Sequence, residues 1–202
     1  MKNYLRLTIF ALFILLATLL RPRPSAAQVD PWEFEVYPYQ TMNRGMVELE
    51  SLNSVVPRGH GTGDNGTAGG TLPSQSMWRT AFELTYGLTD RTEAAAYLNL
   101  AKPSGHDFQL AGYKFRLRGS LFDQEQLPVD PGWYAELAWH RVPKFDDQKL
   151  ELELRPIIEK DFGRFAIVLN PKFEKILVGP HKNKGFEFGY VAGIYYRWMP
   201  SL

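Results

Sequence analysis

Trp78, Thr80, Phe82, Leu84 and Tyr86 alternate with Arg79, Ala81, Glu83 and Thr85. After a short polar stretch, Ala94, Ala96, Leu98 and Leu100 alternate with Glu93, Ala95, Tyr97 and Asn99. Side chains switch faces at every residue of a strand, so each run has one apolar and one polar face. Between them, Gly87 to Arg91 carries the Gly and Asp that a tight reversal wants, and the pair is expected to form a β-hairpin. Trp78 and Tyr86 sit at the two ends of the first apolar face. A strand that crosses a bilayer places its aromatic girdles in this way.

Five later runs repeat the alternation. Ala111, Tyr113, Phe115 and Leu117 oppose Lys114, Arg116 and Arg118 within Phe108 to Gly119. Trp133, Ala135, Leu137 and Trp139 oppose Tyr134, Glu136 and His140. Leu150, Leu152, Leu154 and Ile158 oppose Glu151, Glu153, Arg155 and Glu159. Phe165, Ile167, Leu169 and Phe173 oppose Asn170, Lys172 and Glu174. The cleanest run is the last, where Phe186 to Trp198 sets aromatics and Ile194 against Glu187, Val191 and Arg197. Gly45 to Val56 alternates at first and then blurs, and a bulge would restore its pattern. Counting it, the chain is expected to hold eight strands. A helix is ruled out for most of these runs because apolar residues recur at two rather than at three and four. Pro156 and Pro171 fall inside expected strands, where each lacks a ladder donor and should mark a bulge or a strand end.

Connections alternate in length. Pro57–Gln75, Lys102–Asp107, Pro143–Lys149 and Val178–Gly185 lie on one side of such a sheet, and Leu88–Arg91, Ser120–Gly132 and Asp161–Arg164 on the other. Outer-membrane barrels pair short periplasmic turns with longer outer loops, and apart from Ser120–Gly132 this chain follows that rule. Pro57–Gln75 is rich in Gly and Thr, but it lacks the Gly-Lys-Ser/Thr ending of a phosphate-cradling loop.

The start of the chain has a different pattern. Lys2 and Arg6 precede an apolar run from Leu7 to Leu20, followed by Ser25-Ala26-Ala27, the layout of a secretory signal peptide over residues 1–27. Residues 28–44 read as an extended periplasmic lead-in with a strand fragment at the rim, and 45–202 as the barrel. Without the signal the chain keeps 19 basic against 22 acidic residues, which excludes the strongly basic patch a nucleic-acid partner needs. It has no cysteine, hence neither disulfides nor thiolate metal sites. Aromatic content is 14% and mean hydropathy −0.27, the value of an ordinary soluble protein. Transmembrane barrels average out in the same way, because lipid-facing and lumen-facing residues alternate.

The polar faces carry Glu83, Glu93, Lys114, Arg116, Arg118, Glu136, Glu151, Glu153, Arg155, Lys172, Glu174, Glu187 and Arg197, nearly balanced in sign. A soluble barrel would turn these outward, and a membrane barrel would line its lumen with them. A spanning strand needs about 9–11 residues, the runs here reach that length, and aromatics gather at the ends of the apolar faces. The expected architecture is therefore an all-β, antiparallel, up-and-down transmembrane β-barrel in the outer membrane of a Gram-negative-type envelope.

Glu83-Leu84-Thr85-Tyr86-Gly87-Leu88-Thr89-Asp90-Arg91 followed by an alternating strand resembles a hairpin of the outer-membrane transporter family named for the MetA pathway of phenol degradation. Tyr113-Lys114-Phe115-Arg116-Leu117 and the turn Asp161-Phe162-Gly163-Arg164 are similar to further pieces of it. The resemblance implies a porin-like barrel that passes small, hydrophobic or aromatic molecules, and it brings no catalytic residues. Family members are longer and end on an aromatic strand, whereas this chain runs on through Met199 to Leu202, so a complete small barrel and part of a larger one both stay open.

No enzymatic activity, cofactor or metal is expected. His60, His106, His140 and His181 show no ligand spacing, no nucleophile motif accompanies them, and Glu151 with Glu153 reads as lumen lining rather than an acid/base pair. The expected partners are outer-membrane lipid, the barrel assembly machinery and a small-molecule substrate. A closed barrel without a pore and a soluble periplasmic, lipocalin-like binding barrel are the alternatives.

Overall fold

The computed structural model describes residues 36–59, 74–141 and 149–198. The expected signal segment, most of the lead-in, the middle of the Pro57–Gln75 loop, nearly all of Pro143–Lys149 and the end of the chain lie outside these residues. All eight expected strands form: β1 Val47–Val56, β2 Met77–Thr89, β3 Thr92–Lys102, β4 Gln109–Ser120, β5 Asp130–His140, β6 Leu150–Phe162, β7 Phe165–Val178 and β8 Glu187–Tyr196. Each pairs antiparallel with its sequence neighbours in one up-and-down sheet that curls into a half-barrel, and no helix forms among the described residues.

The period-two pattern sets the facing of every strand. Register partners such as Leu84 with Ala96, Phe115 with Leu137 and Ile167 with Ile194 share the convex face. Glu83 with Tyr97, Arg116 with Glu136 and Asn170 with Val191 share the concave one. The burial is inverted relative to a water-soluble sheet. Phe82, Leu84, Tyr86, Phe115, Leu117, Tyr190 and Ile194 are exposed, while Glu83, Glu93, Lys114, Arg116, Glu136 and Arg155 are buried. Among the described residues the buried apolar clusters are correspondingly small, one of Met77, Ala101 and Ala111 and one of Tyr37, Tyr134 and Ile157.

Three local expectations are corrected. β1 needs no bulge: its ten residues pair in unbroken register from Val47 with Tyr86 to Val56 with Met77. Its pattern blurs because Ser51 and Asn53 occupy convex positions. There Thr80 donates to Asn53 Oδ1 at 3.0 Å and accepts from Trp78 Nε1 at 3.0 Å, so the polar groups satisfy one another. Pro156 and Pro171 mark neither a bulge nor a strand end. β6 and β7 pair from Leu150 to Leu154 and again from Ile158 to Phe162, and the register on either side sets the two prolines opposite each other. Two residues without a ladder donor thus share one gap instead of opening two. The bulges lie elsewhere, at Gly87/Thr89, Asn99/Leu100 and Leu150/Glu151.

Gly163 closes the β6–β7 hairpin at φ +64°, a left-handed conformation that side chains with a Cβ disfavour. The first and last strands do not meet. Among the described residues β1 pairs only with β2 and β8 only with β7, which leaves both outer edges of the sheet without a partner strand there.

Candidate functional site

The concave face gathers the candidate side chains from six successive strands. Arg116 on β4 is the hub. Its Nη2 lies 2.7 Å from Glu83 Oε1 on β2 and 2.9 Å from Glu93 Oε1 on β3, and Arg118 Nε reaches the same Glu93 oxygen at 2.9 Å. Lys114 Nζ stands 3.4 Å from Glu136 Oε1 on β5. Across the sheet, Lys172 on β7 bridges Glu153 at 3.1 Å and Glu174 at 2.6 Å, and Arg155 also pairs with Glu153. These side chains are almost fully buried, so their pairing is required: an unpartnered charge held away from water costs several kcal/mol, on the order of that for other buried ions.

Glu151 joins this cluster through a side-chain hydrogen bond with Glu174 and lies 3.8 Å from His140 Nε2. Two of the candidates stand apart from it. Glu187 lies near the far loop, 3.9 Å from Lys184 Nζ. Arg197 follows β8 at the turn end, exposed, with its guanidinium donating to both Asp161 oxygens at 2.8 and 3.0 Å, and those hydrogen bonds raise its pKa.

The feature that sequence reasoning missed is a strap. Residues 36–44 form no strand and cross the concave face instead of lying along a rim. Tyr195 Oη on β8 donates to Val36 O at 2.8 Å. Tyr37 N donates to Asn170 Oδ1 at 2.7 Å, and Asn170 Nδ2 donates back to Tyr37 O at 3.1 Å. Tyr39 N and Met42 N each donate at 2.6 Å to a carboxylate, Glu159 on β6 and Glu93 on β3. Gly45 N then bonds Gly87 O at 2.8 Å and delivers the chain into β1. Carboxylates and an amide thus accept the main-chain N–H groups that an irregular segment would otherwise bury unpaired.

Tyr37 is the strap's anchor. Its ring packs on Tyr134 with centroids 4.6 Å apart, and three guanidiniums face it: Arg116 at 5.0 Å, Arg118 at 5.2 Å and Arg155 at 5.2 Å. Its hydroxyl accepts from Arg116 Nη1 at 3.2 Å and lies 3.3 Å from Tyr97 Oη. Cations over an aromatic face attract its quadrupole, more strongly when desolvated. The only signal in the sequence was two tyrosines flanking Pro38 in a stretch otherwise short of apolar residues.

Between the strap and β1–β4 lies a cavity of about 720 Å³. Glu48, Glu50, Glu83 and Glu93 line it together with Arg116 and Arg118, and Asp90, Arg91 and Asp123 stand at its turn end. Among the described residues no group of three or more His, Asp and Glu side chains stands close enough to hold a metal ion. Nor is any described helix long and apolar enough to cross a membrane, which says nothing about crossing by strands. In comparisons with protein-family models, curated proteins and solved structures, nothing matches the chain.

Proposed function

We propose that the chain forms the wall of an outer-membrane β-barrel that passes small molecules through its polar interior, with residues 36–44 as an internal obstruction. The observation that carries this reading is the inverted burial. Charged pairs fill the concave face, while Phe82, Leu84, Phe115, Leu117 and Ile194 face outward without cover. Contiguous exposed apolar surface of this extent marks a membrane or protein interface, and a soluble binding barrel would face the other way. Strands of 10 to 14 residues support a bilayer crossing, which needs about 9–11 tilted residues. The cavity beside the strap, lined by both carboxylates and guanidiniums, supports passage of small polar or zwitterionic solutes. The tyrosine and arginine cage around Tyr37 supports aromatic ones.

Two measurements test this. The folded protein should resist SDS and shift on a gel only after boiling, as closed membrane barrels do, and a band that migrates alike with and without heating would count against the membrane reading. In planar bilayers the native chain should show little steady current. Asn170→Ala removes both hydrogen bonds to the Tyr37 backbone and should raise the fraction of time spent open. Large, steady channels from the unaltered protein would remove the strap from the mechanism.

A further inference from the structure

We propose that a second copy of this chain completes the barrel, with β8 of one protomer pairing with β1 of its partner and β8 of the partner with β1 of the first. The inference rests on the membrane reading, because lipid offers no hydrogen bonds to an open edge and spanning sheets must close. Three features carry it: the first two show that a second copy fits the open edges, and the third decides for it over the chain's own opposite edge.

The first is polarity. In an eight-stranded up-and-down sheet the first and last strands run in opposite directions, so β8 continues antiparallel into a partner's β1. A two-fold axis along the barrel then generates two identical seams and leaves no edge open.

The second is fit. The free edges are equal in length, ten residues each, and both alternate in a compatible phase. Val47, Leu49, Ser51, Asn53 and Val55 are convex on β1, and Phe188, Tyr190, Ala192, Ile194 and Tyr196 are convex on β8. A seam that keeps these sets on one face also keeps Glu48 and Glu50 in the interior.

The third is space. Eight strands about 4.8 Å apart close on a ring roughly 12 Å across, somewhat wider once tilted, an interior that side chains alone fill. Here the interior already holds buried Lys114, Arg116, Arg155 and Lys172 and, in addition, a length of main chain that touches β8 at one end and β2 at the other. That content needs a wider ring. Two copies of an eight-stranded sheet give sixteen strands, about the size at which barrels enclose an aqueous channel.

The chain has no cysteine, so introduced thiols report on the seam alone. Two differently tagged full-length copies would be co-expressed, one with Ser51→Cys and the other with Tyr190→Cys, Ala192→Cys or Ile194→Cys in turn. Disulfides form only between residues whose Cα atoms lie about 4.4–6.8 Å apart, so the three positions sample the register. The expected result, after oxidation of the membrane fraction, is a reducible band at twice the monomer mass carrying both tags, strongest for one of the three. Val47→Cys with Tyr196→Cys provides a second seam pair if the first variants assemble poorly. Membrane-inserted protein that cross-links only within a single chain, with both cysteines on one copy, would overturn the dimer and leave the membrane reading intact. A two-tag band found only in the soluble fraction would support the seam and overturn the membrane reading on which this proposal rests.

Discussion

Arg116→Ala tests how dry the concave face is. The guanidinium is 4% exposed and Glu83 1%, and they meet at 2.7 Å. Without Arg116, Glu93 keeps Arg118, whereas Glu83 loses its cation and is left with neutral or acidic neighbours, the hydroxyl that Thr85 donates at 2.8 Å and the Glu50 carboxyl. Breaking one partner out of a buried ion pair costs about 3–5 kcal/mol, because the remaining carboxylate is left charged and desolvated. Arg91 is the matched control. It pairs with Asp123 at the turn end, but the two side chains are 48% and 61% exposed, and exposed pairs contribute at most about 1 kcal/mol. Urea unfolding of the refolded protein in detergent, followed by tryptophan fluorescence, should therefore separate Arg116→Ala from Arg91→Ala by at least about 2 kcal/mol. Adding Glu83→Gln to Arg116→Ala should restore part of the loss by removing the stranded charge. Equal, small effects for the two arginines would refute the reasoning. They would mean that water reaches Glu83 freely and that the charge network lines a wide, wet passage.

Two further outcomes follow from facing and backbone geometry. Ile194→Arg puts a charge on the convex face, where Ile194 is 74% exposed, and in lipid should cost about 2–4 kcal/mol and hinder assembly. Val191→Arg, on the concave side opposite Asn170, should be milder, and equal yields of the two in the membrane fraction would reverse the facing. Gly163→Ala at φ +64° should lower the urea midpoint by an amount equivalent to about 1 kcal/mol, with Gly163→Asn losing less; no change would mean that the hairpin tolerates another turn.

Alternation exposed most of this fold because two-sided burial leaves a period-two signature that needs no partner to be read. β8 is a clear case, since Phe188, Tyr190, Ile194 and Tyr196 take one side while Glu187, Gly189 and Gly193 take the other. Where side chains satisfied one another locally, the signal was lost: Ser51 and Asn53 look misplaced until Thr80 and Trp78 are beside them. The prolines misled for a related reason, because their mutual opposition depends on register and not on either strand alone. The concave charges were readable as a set, and their mates were not, since Arg116 and Lys172 each choose among several carboxylates by geometry. The strap was invisible because Tyr37 is held by Asn170, 133 positions away.

That separation has a kinetic consequence. The hairpins from β2 to β7 close over short stretches of chain, but the strap can dock only after β3, β6 and β7 have come together to present Glu93, Glu159 and Asn170. Contacts of long sequence separation pay their loop-closure entropy before they return any energy, so they form late. Weakening them should leave the folding rate nearly unchanged and appear almost entirely as faster unfolding. The sheet is therefore built while its concave face is still wet, and the strap is the last part to arrive and the first to leave.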